Sequence, residues 1–322
     1  MNAEDRFSPA LKTCAKDTQA KRDPSMKESL KAYIDLTRLQ FFFAWPVLFC
    51  SGLFLSFRNY SGFSISLIMR AALIGLLGFE AGFVLNDYVD RELDKRDVEF
   101  DKLTKYWRPF GKRPIATGLI RPRQALSLFI VLLIATSVLV LTLPYPHSAY
   151  VFVIMLYSYC VEYYYQVKKR KQSFPVAQLI GRTDFSLFPV AGYLSNGNPD
   201  ASALLYFLFF FPFAIAHLGV NDIIDVANDE ARGLKTIPVL YGRKGTTYWI
   251  LLFSAMHFVS AAIFLTVLGG IARAGFAVGF LLLLIANFVL LKEGTAKAGL
   301  KVLPLFHVTM LVYSVSIILD SL

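Results

Sequence analysis

Nine apolar segments, at 41–57, 63–86, 125–143, 149–165, 174–194, 201–220, 247–268, 275–292 and 303–319, dominate the chain. Each is close to the length a helix needs to cross about 30 Å of hydrocarbon. In lipid, an open segment satisfies its backbone polar groups only as a helix. The fold expected is therefore all-α: a polytopic membrane bundle of about nine transmembrane helices. Composition agrees, with 56% hydrophobic and 17% charged residues against about 45–50% and 25% in soluble domains. The 29 Phe and 16 Tyr exclude a chain too polar to bury itself. Cys14, Cys50 and Cys160 are scattered singly, so neither a disulfide framework nor a thiolate metal site is encoded.

Charge is one-sided. Of 33 Lys and Arg residues, 29 fall in the N-terminal arm and the loops after spans 2, 4, 6 and 8. The opposite side carries Arg58 and Arg273, and Arg70 and Arg182 lie inside spans. The positive-inside rule makes the basic side cytoplasmic, with the N-terminus in and the C-terminus out. Residues 1–38 read as a flexible polar cytoplasmic arm with an amphipathic lead-in, and 39–322 as the membrane domain. Basic charge spread along a membrane face meets anionic lipid; nucleic acid is not an expected partner.

Acidic residues crowd onto the same face. Span 2 runs into Asn86, Asp87, Asp90 and Asp94, and span 6 into Asn221, Asp222, Asp225 and Asp229, both as NDxxDxxxD and 135 residues apart. The match points to two diverged repeats. On a continuous helix, positions i, i+4 and i+8 share one face, so each motif would make an oxygen-rich stripe. Such a stripe at a membrane boundary needs cations, and hard oxygen donors with room for water and phosphate suit Mg²⁺.

With Arg113-Pro114-Ile115-Ala116-Thr117-Gly118 after the first motif and Gly233-Leu234-Lys235-Thr236-Ile237-Pro238 after the second, the chain resembles the UbiA superfamily of intramembrane prenyltransferases from about Tyr33 to the C-terminus. The resemblance implies a helical bundle around a central cavity open to lipid. In it, Mg²⁺ bridges both motifs to a prenyl diphosphate donor, and the prenyl chain moves to a lipophilic acceptor: an aromatic quinone precursor or related ring compound, or an archaeal isoprenyl glycerol phosphate. The metal ligands would be Asn86, Asp87, Asp90, Asp94, Asn221, Asp222, Asp225 and Asp229. The charged insert at 95–112 departs from many relatives and is expected to reshape the cap over the cavity.

Loss of pyrophosphate leaves an allylic cation, so fixed cations must meet the charge developing on the leaving group. Arg113 and Lys235, which follow the two motifs, are the expected ones. Lys168 is a third, its pairing with Tyr164 resembling the family's YxxxK after span 4. Arg182 and Asp184 are expected to pair with each other or with loop charges, Glu80 with Arg70, and His217 stands one turn below Asn221. A terpene cyclase on the same fold is the alternative enzyme and a secondary transporter the alternative of another class. Transport is disfavoured because the acidic clusters lie at one membrane face instead of the midplane.

Overall fold

Ser25 accepts from the backbone of Glu28 and Glu28 returns the bond, a capping box that starts α1, Met26–Thr37. The computed structural model describes residues 24–322. The rest of the expected arm, 1–23, lies outside the described residues, while α1 occupies the position of the expected lead-in. After it come α2 (Ala44–Tyr60), α3 (Ile65–Asp90), α4 (Leu103–Trp107), α5 (Pro122–Leu141), α6 (His147–Lys168), α7 (Val176–Leu194), α8 (Ala201–Ile224), α9 (Val226–Arg232), α10 (Ile237–Phe264), α11 (Gly270–Glu293) and α12 (Ala296–Asp320). No strand occurs among the described residues. Nine long helices cover the nine apolar segments. Seven of them qualify as spans by length and apolarity alone, α6 and α7 being the exceptions. Those two carry Glu162, Arg182 and Asp184, which turn toward an internal cavity.

The starts and stops are local. Ser64, Asp200 and Thr295 each accept from a backbone N–H one turn into α3, α8 and α12, supplying the bonds that the first turn of a helix lacks. At the end away from the acidic motifs, Asp320 accepts from Gly269, Ile271 and Ala272 at the start of α11 and from Arg58 at 2.6 Å. The carboxylate meets the positive end of the helix dipole and Arg58 neutralises it. Arg70 does not reach Glu80: it donates to the Thr142 carbonyl at 2.7 Å, and both buried Glu80 oxygens lack a hydrogen-bond partner.

Helices α2, α3, α5, α6 and α7 surround one side of the interior and α8, α10, α11 and α12 the other, α2 also packing on α12. The aromatic core between α8, α10, α11 and α12 centres on Phe209, Phe264, Phe276 and Tyr313. Where α2 crosses α7, the backbones touch. A Cβ at Gly192 would lie 1.8 Å from the Phe49 carbonyl oxygen, and one at Gly52 1.9 Å from that of Pro189. This crossing fixes the wall behind the cavities. Gly192→Ala should therefore destabilise the fold by about 3 kcal/mol, the upper end for overpacking, since backbone must move. Thermal unfolding in detergent checks it, and an unchanged melting temperature would contradict the close crossing.

Candidate functional site

Both acidic motifs outrun their helices. Helix α3 stops at Asp90, and a short 3₁₀ turn follows at Asp94–Arg96. Helix α8 stops at Ile224, and Asp225 (φ −93°, ψ 9°) separates it from α9. The continuous i, i+4, i+8 stripes expected from spacing are thus broken, because a bend near each motif's second aspartate redirects the chain. All six aspartates remain buried. Asn86, Asp90, Asn221, Asp222, Asp225 and Asp229 wall a polar cavity of about 180 Å³. Asp87 and Asp94 stand outside that wall.

What holds the carboxylates is a lattice of cations. Asp87 takes Arg108 at 2.7 Å and Arg38 at 3.0 Å. Asp90 takes Lys169 at 2.6 Å and Arg170 at 3.1 Å. Arg113 reaches Asp94 at 3.0 Å, Asp97 at 2.6 Å and, across the repeat, Asp225 at 3.9 Å. Arg232 returns the crossing to Asp97 and, at 3.5 Å, to Asp94. Asn228 adds neutral bonds, accepting from Val98 and Glu99 and donating to Asp225 at 2.7 Å.

The 95–112 insert is the lid of this lattice. Helix α4 places Trp107 so that its indole donates to Asn221 at 3.0 Å, and Arg108 so that it forks onto Asp87. Tyr106 binds His307 at 2.7 Å, and His307 binds His217 at 2.9 Å. His217 is therefore part of a buried hydrogen-bonded chain as well as a cavity wall.

Burial raises the Asp94 carboxyl, with Arg113 and Arg232 only partly offsetting it. Burial and then Asp225 and Asp222 push Asp229 well above its ordinary value. Burial alone would lower the Arg113 guanidinium, yet Asp94, Asp97 and Asp225 raise it. Arg38 goes the other way, down to about 10, through burial and the neighbouring Arg108 charge.

Three expected cation-site residues stand elsewhere. Lys168 and Lys235 are exposed on an outer surface, and Tyr164 is half-buried outside the cavity wall. Helical phase explains the first pair: Tyr165 and Lys169, one residue on from each, face the cavity. For Lys235, Gly233 (φ 72°) reverses the chain after α9 so that Thr236 donates to Asp229 at 2.7 Å. The buried cation is Arg232. Its signal was present three residues after Asp229, as was that of Lys169 at i+7 from Glu162 on the same face as Gln166. Arg38, Asp97 and Arg108 had no comparable signal.

An apolar cavity of about 170 Å³ adjoins the polar one, lined by residues such as Phe49, Ile74, Met155 and Phe188, and shares Arg38, Phe79, Phe83, Asn86, Arg182 and Phe185 with it. Among the described residues, no three His, Cys, Asp or Glu converge to hold a metal ion alone. The donor set still fits Mg²⁺, which binds phosphate ligands through one or two carboxylates and keeps waters. In the cavity wall, Asp222 Oδ2 is buried without a hydrogen-bond partner.

Residues 43–314 match the sequence model of the UbiA prenyltransferase family. The chain is 29% identical over 223 residues to the digeranylgeranylglyceryl phosphate synthase of Thermococcus kodakarensis, covering 68% of this chain and 70% of that one. It is 26% identical over 222 residues to the 4-hydroxybenzoate octaprenyltransferase of Saccharophagus degradans, covering 67% and 68%. The fold superposes on a UbiA homolog from Aeropyrum pernix (TM-score 0.70, 19% identity, 88% and 98% covered). It also superposes on a UbiA homolog from Archaeoglobus fulgidus bound to DMAPP and Mg²⁺ (0.64, 16%, 89% and 99%).

The lattice makes Asp97 the shared counter-charge of two buried guanidinium groups. Asp97→Ala should cost about 3–5 kcal/mol, the penalty for stranding buried charge. Unfolding in detergent with EDTA present tests this, and a loss under 1 kcal/mol would exclude Asp97 as the cross-link.

Proposed function

The chain belongs to the UbiA prenyltransferase family, and from that premise we propose that its polar cavity holds the diphosphate of an isoprenoid donor while the adjoining apolar cavity takes the prenyl chain. The observation that carries this reading is the meeting of both acidic motifs in one polar cavity that shares six lining residues with an apolar one. Asp90, Asp222, Asp225 and Asp229, with the remaining lone pairs of Asn86 and Asn221, would hold Mg²⁺. Asp87 and Asp94 act from behind, fixing Arg38, Arg108, Arg113 and Arg232. Bound there, Mg²⁺ supplies Lewis-acid stabilisation of the leaving oxygens.

The protein's own part is charge and exclusion of water. As the C1–O bond of the donor breaks, negative charge grows on the departing pyrophosphate. Arg113, Arg232 and Lys169 already stand at the cavity wall and need not reorganise, the condition under which electrostatic stabilisation is strongest. Phe79, Phe83 and Phe185, shared by both cavities, line the space where an allylic cation would form, and aromatic rings attract cations. The acceptor then bonds to C1 and gives up a proton. The relatives' names point to a glyceryl phosphate lipid or a hydroxybenzoate as acceptor. The basic loops that carry the site face the cytoplasm, with the C-terminus outside.

Incubating purified protein with geranylgeranyl diphosphate, Mg²⁺ and each acceptor class should give a product whose mass contains both partners. A product lacking the acceptor would indicate a cyclase, and none at all would defeat the reading. EDTA, Asp90→Ala and Asp225→Ala should each abolish turnover in folded protein. Arg232→Ala should lower kcat about 10²-fold, whereas Lys235→Ala stays near wild type; the opposite order would move the diphosphate contact to the outer surface. For sidedness, an impermeant thiol reagent added to intact cells should label cysteine-free protein carrying Ser321→Cys and spare Lys168→Cys.

A further inference from the structure

Arg38 and Arg182 line both cavities, so they mark the junction where the head of a donor would meet its chain. The other cations of the polar wall are engaged: Arg38 and Arg108 with Asp87, Lys169 with Asp90, Arg113 and Arg232 with Asp94 and Asp97. Arg182 is not. Among the described residues its guanidinium makes no ion pair within 4 Å and no hydrogen bond, and its Nε is buried and unpartnered. The Tyr165 ring, 5.8 Å away, is its recorded contact. Neither Asp184 nor Asp222 comes within 4 Å of it, so the expected Arg182–Asp184 pair does not form. A charge in a spanning helix is costly to keep and marks a functional position when it faces a cavity.

Arg38 adds to the same place. Its Nη2 is on Asp87, but its Nε is also buried without a partner. The junction thus has the unpaired Arg182 guanidinium, the Arg38 Nε and the rings of Phe79, Phe83 and Phe185, while the Asn86 amide is taken by Glu162 at 2.8 Å. That combination suits a ligand with an oxyanion on an apolar body. We propose that Arg182, with the unpartnered Nε of Arg38 at the same junction, binds the anionic head of the prenyl acceptor, a carboxylate or a phosphate. The proposal rests on the prenyl-transfer reading above.

The physical reason is repulsion. An acceptor must bring its nucleophilic atom to C1 of the donor, beside the donor's diphosphate. A second anion there is repelled unless it has its own counter-charge, and the lattice cations are already shared with carboxylates. Arg182 is the cation left over, and a guanidinium fork matches either oxyanion in two parallel hydrogen bonds.

Steady-state kinetics of Arg182→Gln and Arg182→Lys in the full-length, Mg²⁺-loaded enzyme test this, with an isoprenyl glyceryl phosphate and 4-hydroxybenzoate as separate arms. For the acceptor that wild type uses, Arg182→Gln should raise the acceptor KM at least tenfold, the scale of one charged hydrogen bond, with the donor KM within twofold. Arg182→Lys, which keeps the charge needed for folding but loses the fork, should fall in between. With the matching neutral analogue, the isoprenyl glycerol or phenol, the difference between wild type and variant should vanish. An unchanged acceptor KM, or the same penalty with the neutral analogue, overturns the proposal. So does a shift that falls on donor KM or Mg²⁺ requirement, because Arg182 would then be a counter-ion of Asp222. Product from wild type with kinetically normal variants defeats this inference alone; no product from wild type defeats the function on which it rests.

Discussion

Two guanidinium groups that cross between the halves of the molecule set the conditions for everything else at the site. Arg113 follows the first acidic motif and reaches Asp225 of the second, while Arg232 follows the second and reaches Asp94 of the first and Asp97 of the insert behind it. Six buried carboxylates at one end of a membrane bundle could not stay ionised and close without such partners. The crossing also means that neither half completes its own site. Each motif is positioned by a cation whose backbone belongs to the other repeat, so the polar cavity exists only when both halves are docked.

Buried ion pairs add little net stability, because desolvation offsets most of their attraction. Their value here lies in placement. In the proposed reaction, Arg113 and Arg232, held by Asp94 and Asp97 behind the wall, need not rearrange as a leaving group departs. The cavity wall carries carboxylates and cations side by side. The adjoining apolar cavity, into which Glu162, Arg182 and Asp184 also turn, is bounded by the α2–α7 crossing, where glycine lets the backbones touch.

The segment at 95–112 converts this from an open cleft to a covered one. Its Asp97 is the hub of the arginine crossing, Asn228 of the second repeat pins its backbone at Val98 and Glu99, and α4 sends Trp107 and Arg108 inward. A stretch that reads in sequence as a charged loop thus supplies both a cross-link and part of the cavity wall. The His217–His307–Tyr106 chain ties the same segment to α8 and α12.

Hydrophobic run length determined the helices by itself, since lipid leaves a spanning backbone no other way to satisfy its hydrogen bonds. The matched NDxxDxxxD motifs were equally legible, because a repeat shows up as spacing. Facing was not. Lys168 and Lys169 differ by one residue, about 100° around a helix, and only the packing of α6 against α7 decided that Lys169 turns inward. Lys235 and Arg232 were separated by a chain reversal at Gly233 that spacing does not encode. Asp87 and Asp97 take Arg108 and Arg113 from the nearby insert and its edge, but also partners from across the fold, with Arg38 lying 49 residues from Asp87 and Arg232 135 from Asp97. Sequence fixes which charges must be neutralised, whereas long-range docking alone chooses the partners, because that choice depends on distances between helices and not on position along the chain.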